Sequence, residues 1–382
     1  MKLNLHLNAT FMNSATESRT GRSVETVLEY KIFDHIDIAA VEDKDSDYKK
    51  DKVSIISFRR DYDVEKAGLL IKSFGTLKWC LAVYKKLSSK KYEIINCHSV
   101  NLLPLAVLLK YKSKSKLIYD IHELETETLA MTGVRKFLSK IVEKALIKFV
   151  DFTIVVSEPI KNWYIKNYNI KDIAVIRNMP SAKSKVVNLD ITMREKFNIP
   201  VNDIVFVYHG ALLEGRGIEN LFSTFTKLKD KSKHLIIIGF GELEGLCRSF
   251  ASSNSNIHFN EALSKDELLE FIKEANIGLN FIDNSCLNHE YCLPNKLWDY
   301  LSVPIPVLVN DLLGMRTILE KYDCGWLVDE GNDNLLLAIE NLSLEQISEK
   351  QMNAKDSLSR WGWNQEKVKL ISIYKRLISN YD

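Results

Sequence analysis

The sequence predicts an α/β protein made of two doubly wound parallel-sheet domains, on three observations. Short apolar runs alternate with helical patterns along nearly the whole chain, the order that sets strands side by side with helices on both faces. The alternation stops once, around Arg177 to Ser184, and then restarts. At 382 residues the chain is also longer than one hydrophobic core usually serves.

In the first half, Lys2 to Leu7, Val53 to Phe58, Glu93 to Cys97, Lys116 to Tyr119 and Phe152 to Val156 read as strands. Between them, Arg22 to Phe33, Lys66 to Leu87, Leu102 to Lys110 and Val134 to Phe149 read as helices. After the polar break the strands are Asp203 to Tyr208, His234 to Ile238, Asn256 to Phe259, Ile277 to Phe281 and Ile305 to Val309, each followed by a helical stretch. The final helix, about Asn364 to Ser379, is followed by no strand and is expected to cross back onto the first domain. The expected division is therefore 1–180 with 364–382, and 181–363.

Bulk composition excludes several classes of function. A net charge of +2 argues against wholesale nucleic-acid binding. The six cysteines are scattered without CxxC spacing, as in a reduced cytoplasmic protein. No apolar run reaches the roughly eighteen residues of a membrane span, and the start has no signal-peptide pattern.

The chemistry is expected beyond the carboxyl ends of the strands, where open α/β sheets bind ligands. Pro294 suits the first turn of a helix, which puts Asn295 and Lys296 at an N-terminus that attracts anions. Lys296 adds a full charge, and Asp299 falls on the same face one turn deeper, placed for a sugar diol. The same residues also suit an ordinary amphipathic helix with Leu297, Trp298 and Leu301 inward. After the strand ending at Tyr208, Gly210 permits close backbone approach and Arg216 is a candidate phosphate clamp. After Ile238, the run Gly239-Phe240-Gly241-Glu242 offers a tight turn to a base or ribose at Gly241 and Glu242, and equally suits a plain strand-to-helix turn.

In the first half, the strand Lys116 to Tyr119 runs into Asp120, His122, Glu123, Glu125 and Glu127, four carboxylates around one histidine. Glu125 and Glu127 also suit a helix N-terminus that favours acids. His98, ending another strand, is a second candidate. The helix Val134 to Phe149 carries apolar residues on one face and Lys136, Lys140, Lys144 and Lys148 on another. Its apolar face is expected to cover the sheet, with the lysines free to meet anionic headgroups.

The motifs YDIHELETE, VVSEPI, VIRNMP, YHGALLEGRGIENL, IIIGFGE and LPNKLWDYLSVPIPVL occur in an order that resembles the retaining glycosyltransferases of family 4, over nearly the whole chain. The resemblance implies the GT-B fold, two Rossmann-like domains facing each other across a cleft. It gives Arg216 and Lys296 the donor diphosphate and Asp299, as second acid of an ExxxxxxxE motif, the ribose. It sets His122 near the transferring sugar and Arg22 on the acceptor side, where His98 and Glu123 are also expected. The chain departs from the pattern at Tyr291, where the first glutamate is expected and Glu290 lies one residue off, at Asp299 in place of glutamate, and at Ala211 in place of a second arginine. The branch with a PNK motif commonly lacks that glutamate, and it resembles enzymes of bacterial capsule and O-antigen synthesis.

The expected activity is thus metal-independent transfer of a sugar from a nucleotide diphosphate donor to a saccharide acceptor, with no cofactor and no nucleic-acid partner. A UDP-sugar is the favoured donor and GDP-mannose the alternative. A lipid-linked acceptor and a peripheral place on the inner face of the plasma membrane fit the lysine-rich helix. The alternatives are a silent nucleotide-sugar binder and a glycosidase using carboxylates from Asp120 to Glu127.

Overall fold

A computed structural model of the chain describes residues 1–11, 19–42, 46–59, 68–180 and 187–379. They divide into two compact units, residues 1–178 with 366–382, and residues 179–365. Part of the polar break, residues 181–186, lies outside the described residues.

The first unit is built on eight strands: β1 (Leu3–Phe11), β2 (His35–Glu42), β3 (Ser46–Lys50), β4 (Val53–Arg59), β5 (Ile94–Cys97), β6 (Lys116–Asp120), β7 (Phe152–Val155) and β8 (Ile173–Val175). Their order across the sheet is β3-β4-β2-β1-β5-β6-β7-β8. All pairings are parallel except β3 on β4, so the expected all-parallel sheet gains one antiparallel edge. That edge strand carries Asp47 and Lys49, charges suited to a strand with an open side.

Three strands of this unit were not anticipated by apolar runs, nor was β14 (Gly325–Val328) in the second. In β2 the run is interrupted by Asp37, whose buried carboxylate accepts from Lys90 Nζ and Tyr92 Oη, each at 2.7 Å. Partners more than fifty residues away make that position tolerable, which no local pattern reports. β3 and β8 are short edge strands with little burial to mark them. The helices of this unit are α1 (Arg19–Glu29), α2 (Leu69–Leu87), α3 (Leu103–Ser113), α4 (Gly133–Leu146) and α5 (Glu158–Tyr168).

The second unit begins with α6 (Met193–Phe197) and alternates β9 (Ile204–Ala211), α7 (Ile218–Lys227), β10 (Lys233–Phe240), α8 (Glu244–Ser253), β11 (Ile257–Glu261), α9 (Lys265–Ile272) and β12 (Ile277–Asn280). It continues with α10 (Leu287–Tyr291), α11 (Asn295–Ser302), β13 (Val307–Asn310), α12 (Leu313–Tyr322), β14 (Gly325–Val328), α13 (Asn332–Asn341) and α14 (Leu344–Ser357). The order β11-β10-β9-β12-β13-β14 is parallel throughout. Side chains alternate as a strand requires: Val205 and Val207 join Trp298 and Leu301 on one face, while Phe206 and Tyr208 join Phe222 and Phe225 on the other. Chain order reverses at β9, between β10 and β12, which makes the loops after β9 and β12 the place for a ligand.

The last helix, α15 (Trp363–Ser379), starts in the second unit and belongs to the first from Glu366 onward. Buried Tyr374 gives its hydroxyl hydrogen to Asn96 Oδ1 at 2.7 Å and stands edge-on to Phe33. Glu366 accepts from the Arg177 main chain at 3.0 Å.

Candidate functional site

In the second unit the ends of β9 and β10 meet as bare backbone. Gly239 has φ +159°, and a Cβ there would lie 1.9 Å from the carbonyl oxygen of Gly210. No other residue fits without parting the strands. Gly210, at φ +129°, faces Lys296: a Cβ at that position would lie 3.6 Å from Nζ. Gly241 lies in the turn that follows β10, with exposed Glu242 beside it.

Pro294 proves to be the cap of α11, in extended conformation (φ −62°, ψ 146°), with Asn295 and Lys296 the first two helical residues. Asn295 is exposed at the tip, while the Lys296 ammonium sits 3.8 Å from the ring centroid of Tyr208. Arg216 lies in the turn ahead of α7, which starts only at Ile218 after Gly217 in the left-handed region. Neither cation forms an ion pair among the described residues. Burial, and then the positive charge of Arg216, bring the Lys296 ammonium down to about 7, with Asp299 acting in the opposite sense.

Asp299 is buried and pairs with Lys265 Nζ, and its other oxygen is 3.6 Å from His209 Nε2. The partner Lys265 was not anticipated. It opens α9 behind Ser264 and Glu267, which close a capping box, so the spacing S-x-x-E was the local signal. His209 is held neutral by burial and then by Lys296 and Lys265, and its Nε2 has no hydrogen-bond partner. Glu290 does not join the motif: it accepts from Asn284 Nδ2 at 2.7 Å and from the Leu313 main chain at 3.0 Å, at the start of α12. A cavity of about 390 Å³ near Gly217 and Phe281 is lined by Asp283, Asp329 and Glu330, a negative lining unsuited to phosphate.

The first unit gathers a different set. Asp120 ends β6 and is gripped by Arg19, whose Nε lies 2.9 and 3.1 Å from the two oxygens and Nη2 2.8 Å from Oδ1. Burial opposes the charge on Asp120, but Arg19 with the neighbouring histidines holds it well below the usual carboxylate range. His98 and His122 stand beside it: His98 Nδ1 is 3.1 Å from His122 Nε2, and Asp120 Oδ2 lies 3.5 Å from the first and 3.7 Å from the second. These three donor atoms are the one metal-like grouping among the described residues. His6 lies behind His98 at 3.0 Å, stacked on it.

The predicted crowd of carboxylates around His122 does not form. Glu125 turns to Ser99 Oγ at 2.7 Å and to the Val100 main chain, while burial lifts its carboxyl to about 8. Glu127 pairs with Lys136 and Lys140 of α4, and Glu123 is exposed. With Asp120 locked to Arg19, no two free carboxylates face one another there, and the glycosidase alternative loses its acid and base. Arg22 is buried in α1 and donates to Asn178, so it is Arg19 that reaches the histidine cluster.

Helix α4 contradicts the expectation that its apolar face covers the sheet. Val134, Phe137, Leu138 and Ile141 are 74, 64, 54 and 48 % exposed. The inward side is polar instead: Glu143 is fully buried and accepts from the hydroxyls of Tyr164, Tyr168 and Tyr119 at 2.6, 2.8 and 3.0 Å. Lys136 and Lys140 turn toward Glu127, which leaves Arg135, Lys144 and Lys148 exposed beside the apolar face.

Residues 42–179 match the domain described as Glycosyltransferase Family 4, and residues 190–357 the one described as Glycosyl transferases group 1. An uncharacterized glycosyltransferase of Methanocaldococcus jannaschii is 24% identical over 287 residues, 71% of this chain and 70% of the relative. Among solved structures, the fold is similar to sucrose-phosphate synthase from Thermosynechococcus elongatus, with a TM-score of 0.77, 15% identity and full coverage of both chains. It is also similar to a trehalose-6-phosphate protein of E. coli bound with UDP-2-fluoro glucose, with a TM-score of 0.73 and 11% identity over 98% of this chain and 99% of that one. Two parallel-sheet Rossmann-like units, the first matching family 4 and the second group 1, make this chain a glycosyltransferase of the GT-B fold.

Proposed function

We propose that the enzyme transfers a sugar, with retention and without a metal, from a UDP-sugar to a lipid-linked saccharide in the synthesis of a bacterial surface polysaccharide. The observation that carries the donor half is the pair Lys296 and Arg216. Two cations sit close enough to depress one of them, in a half-buried place at the switch point of the sheet, and neither forms a salt bridge among the described residues. Such a pair is costly until an anion joins it, and a diphosphate supplies one.

The chemistry follows from that charge. The bond from the anomeric carbon to the diphosphate oxygen breaks, an acceptor hydroxyl oxygen bonds that carbon on the same face and passes its proton to the departing diphosphate, and Lys296 with Arg216 stabilises the charge that develops on the leaving group. These cations take the part a divalent ion would play, so chelation with EDTA should leave transfer unchanged. GDP-mannose is the alternative donor. The UDP reading draws on the E. coli protein bound with UDP-2-fluoro glucose. His122 is assigned a hydrogen bond to the reacting sugar, with Arg22 and Glu123 on the acceptor side, His98 behind His122 and Glu242 and Asp299 on the nucleoside.

The lipid half rests on α4, which shows bulk water an apolar face edged by Arg135, Lys144 and Lys148, the pattern of a helix lying in an anionic interface. Among the described residues no helix is long and apolar enough to cross a membrane. The test is release of UDP or GDP from a panel of nucleotide sugars, by the parent and by Lys296→Ala. The variant should lose roughly a hundredfold or more in rate at saturating donor. Equal rates would remove Lys296 from the mechanism, and tight UDP binding without turnover on any acceptor would make the chain a silent binder.

A further inference from the structure

We propose that a buried hydrogen-bond chain, running from the main-chain carbonyl of Leu5 through Asn96, Asn4, His6 and His98, decides which nitrogen of His122 carries hydrogen. His6 and His98 are then positioning residues, and His122 offers Nδ1–H outward while its Nε2 faces inward as an acceptor. The bearing on sugar transfer rests on the role given to His122 above; the polarity itself does not.

The chain starts at an oxygen that can only accept. Asn96 Nδ2 lies 3.2 Å from Leu5 O and 2.7 Å from Asn4 Oδ1, and turning the Asn96 amide over would set two oxygens against each other at 3.2 Å. Tyr374 Oη, 2.7 Å from Asn96 Oδ1, supplies the hydrogen that this oxygen needs. Asn4 must then present Nδ2 to His6 Nε2 at 3.2 Å, and Asn96 Nδ2 is 3.4 Å from the same nitrogen. The Asn96 hydrogens are both taken by Leu5 O and Asn4 Oδ1, so Asn4 Nδ2 is the donor and His6 Nε2 accepts.

A neutral imidazole has one hydrogen, so His6 carries it on Nδ1 and gives it to His98 Nε2 at 3.0 Å. His98 then carries its own on Nδ1 and gives it to His122 Nε2 at 3.1 Å. Both inner rings stay neutral near pH 7: burial takes His6 down to about 4, against Asp120, and takes His98 well below its ordinary value. At the open end, the His122 side chain is 35% exposed and its Nδ1 has no partner among the described residues.

The same polarity weighs against metal at His98, Asp120 and His122. Their donor atoms are 3.1, 3.5 and 3.7 Å apart, near the edge lengths of a tetrahedral site. A metal needs the lone pair of His98 Nδ1, and the chain puts a hydrogen there. Reversing it would break the bond to Leu5 O and pair Arg19-bound Asp120 with a second cation. Asp120 therefore takes its hydrogens from Arg19, and His122 acts as a hydrogen-bond donor to a sugar oxygen through Nδ1.

Long-range proton–nitrogen correlation on the full chain labelled with ¹⁵N-histidine reads the tautomer of each ring. The eight histidines are assigned by single His→Gln variants. The expected result is Nδ1–H with bare Nε2 at His6, His98 and His122. Asn4→Asp replaces the donor facing His6 with an acceptor and should move all three hydrogens to Nε2. Transfer should then fall on the order of a hundredfold in kcat, with the donor KM within a factor of about two. Nε2–H at His122 in the parent, or an Asn4→Asp spectrum unchanged at His122, overturns the proposal, as does a stoichiometric shift of His98 and His122 on adding zinc. The parent spectrum decides even if Asn4→Asp fails to fold. If the tautomers come out as stated but His122→Gln transfers sugar like the parent, the chain of hydrogens stands and the role of His122 in transfer falls.

Discussion

Donor binding should be coupled to a proton at Lys296, and the coupling has a size. In the free protein the ammonium titrates at about 7, brought down by burial and by Arg216. A bound diphosphate is an anion beside it and favours the charged form, so binding draws a proton from solution whenever Lys296 starts neutral. At pH 6 about nine-tenths of the free protein is already charged, and at pH 8 about one-tenth. Apparent affinity for a UDP-sugar should therefore weaken about tenfold between pH 6 and pH 8. Calorimetry in two buffers of different ionisation enthalpy should find close to one proton taken up per site at pH 8 and about a tenth of one at pH 6. A UDP-sugar is the better probe than free UDP, whose terminal phosphate titrates in the same range. Lys296→Met should weaken binding and abolish both effects, and Lys296→Arg, charged throughout, should bind without pH dependence. Constant affinity and no proton uptake in the parent would refute the assignment of a depressed ammonium at this seat.

Two further outcomes follow from the backbone and the surface. Gly239→Ala should cost about 1–3 kcal/mol, read as a fall in the urea midpoint, because its Cβ would meet the Gly210 carbonyl at 1.9 Å. The paired change Phe137→Glu with Ile141→Glu, at exposed sites of α4, should leave the thermal midpoint unchanged and abolish co-sedimentation with anionic vesicles. Binding by the double variant equal to the parent's would remove α4 from any membrane contact.

Much of the candidate donor site's local geometry could be read from the chain because its signals are local. Pro294, Lys296 and the glycines after β9 and β10 act within a few residues of themselves, through helix-end geometry and close backbone approach. What the chain concealed depends on distant partners. His6 is 92 residues from His98, and Lys265 is 34 from Asp299, so no window that reads periodicity contains both. Helix α4 hid something else. Its periodicity identified two faces correctly, yet which face turns inward was settled by Glu143 and three tyrosines spread from Tyr119 to Tyr168. The strand β2 was missed for a related reason, since Asp37 breaks its apolar run and is made tolerable by Lys90 and Tyr92.

The three phenols on Glu143 also act as a lock on rotation. A helix with an uncovered apolar side usually gains by rolling about its axis to hide it, but α4 would have to strip a buried carboxylate of three hydrogen bonds to do so. The apolar side consequently stays outward whether or not anything covers it. Handling should reflect this: mild detergent or short-chain lipid should raise the concentration at which the protein stays dispersed, and high salt, which strengthens apolar association, should lower it.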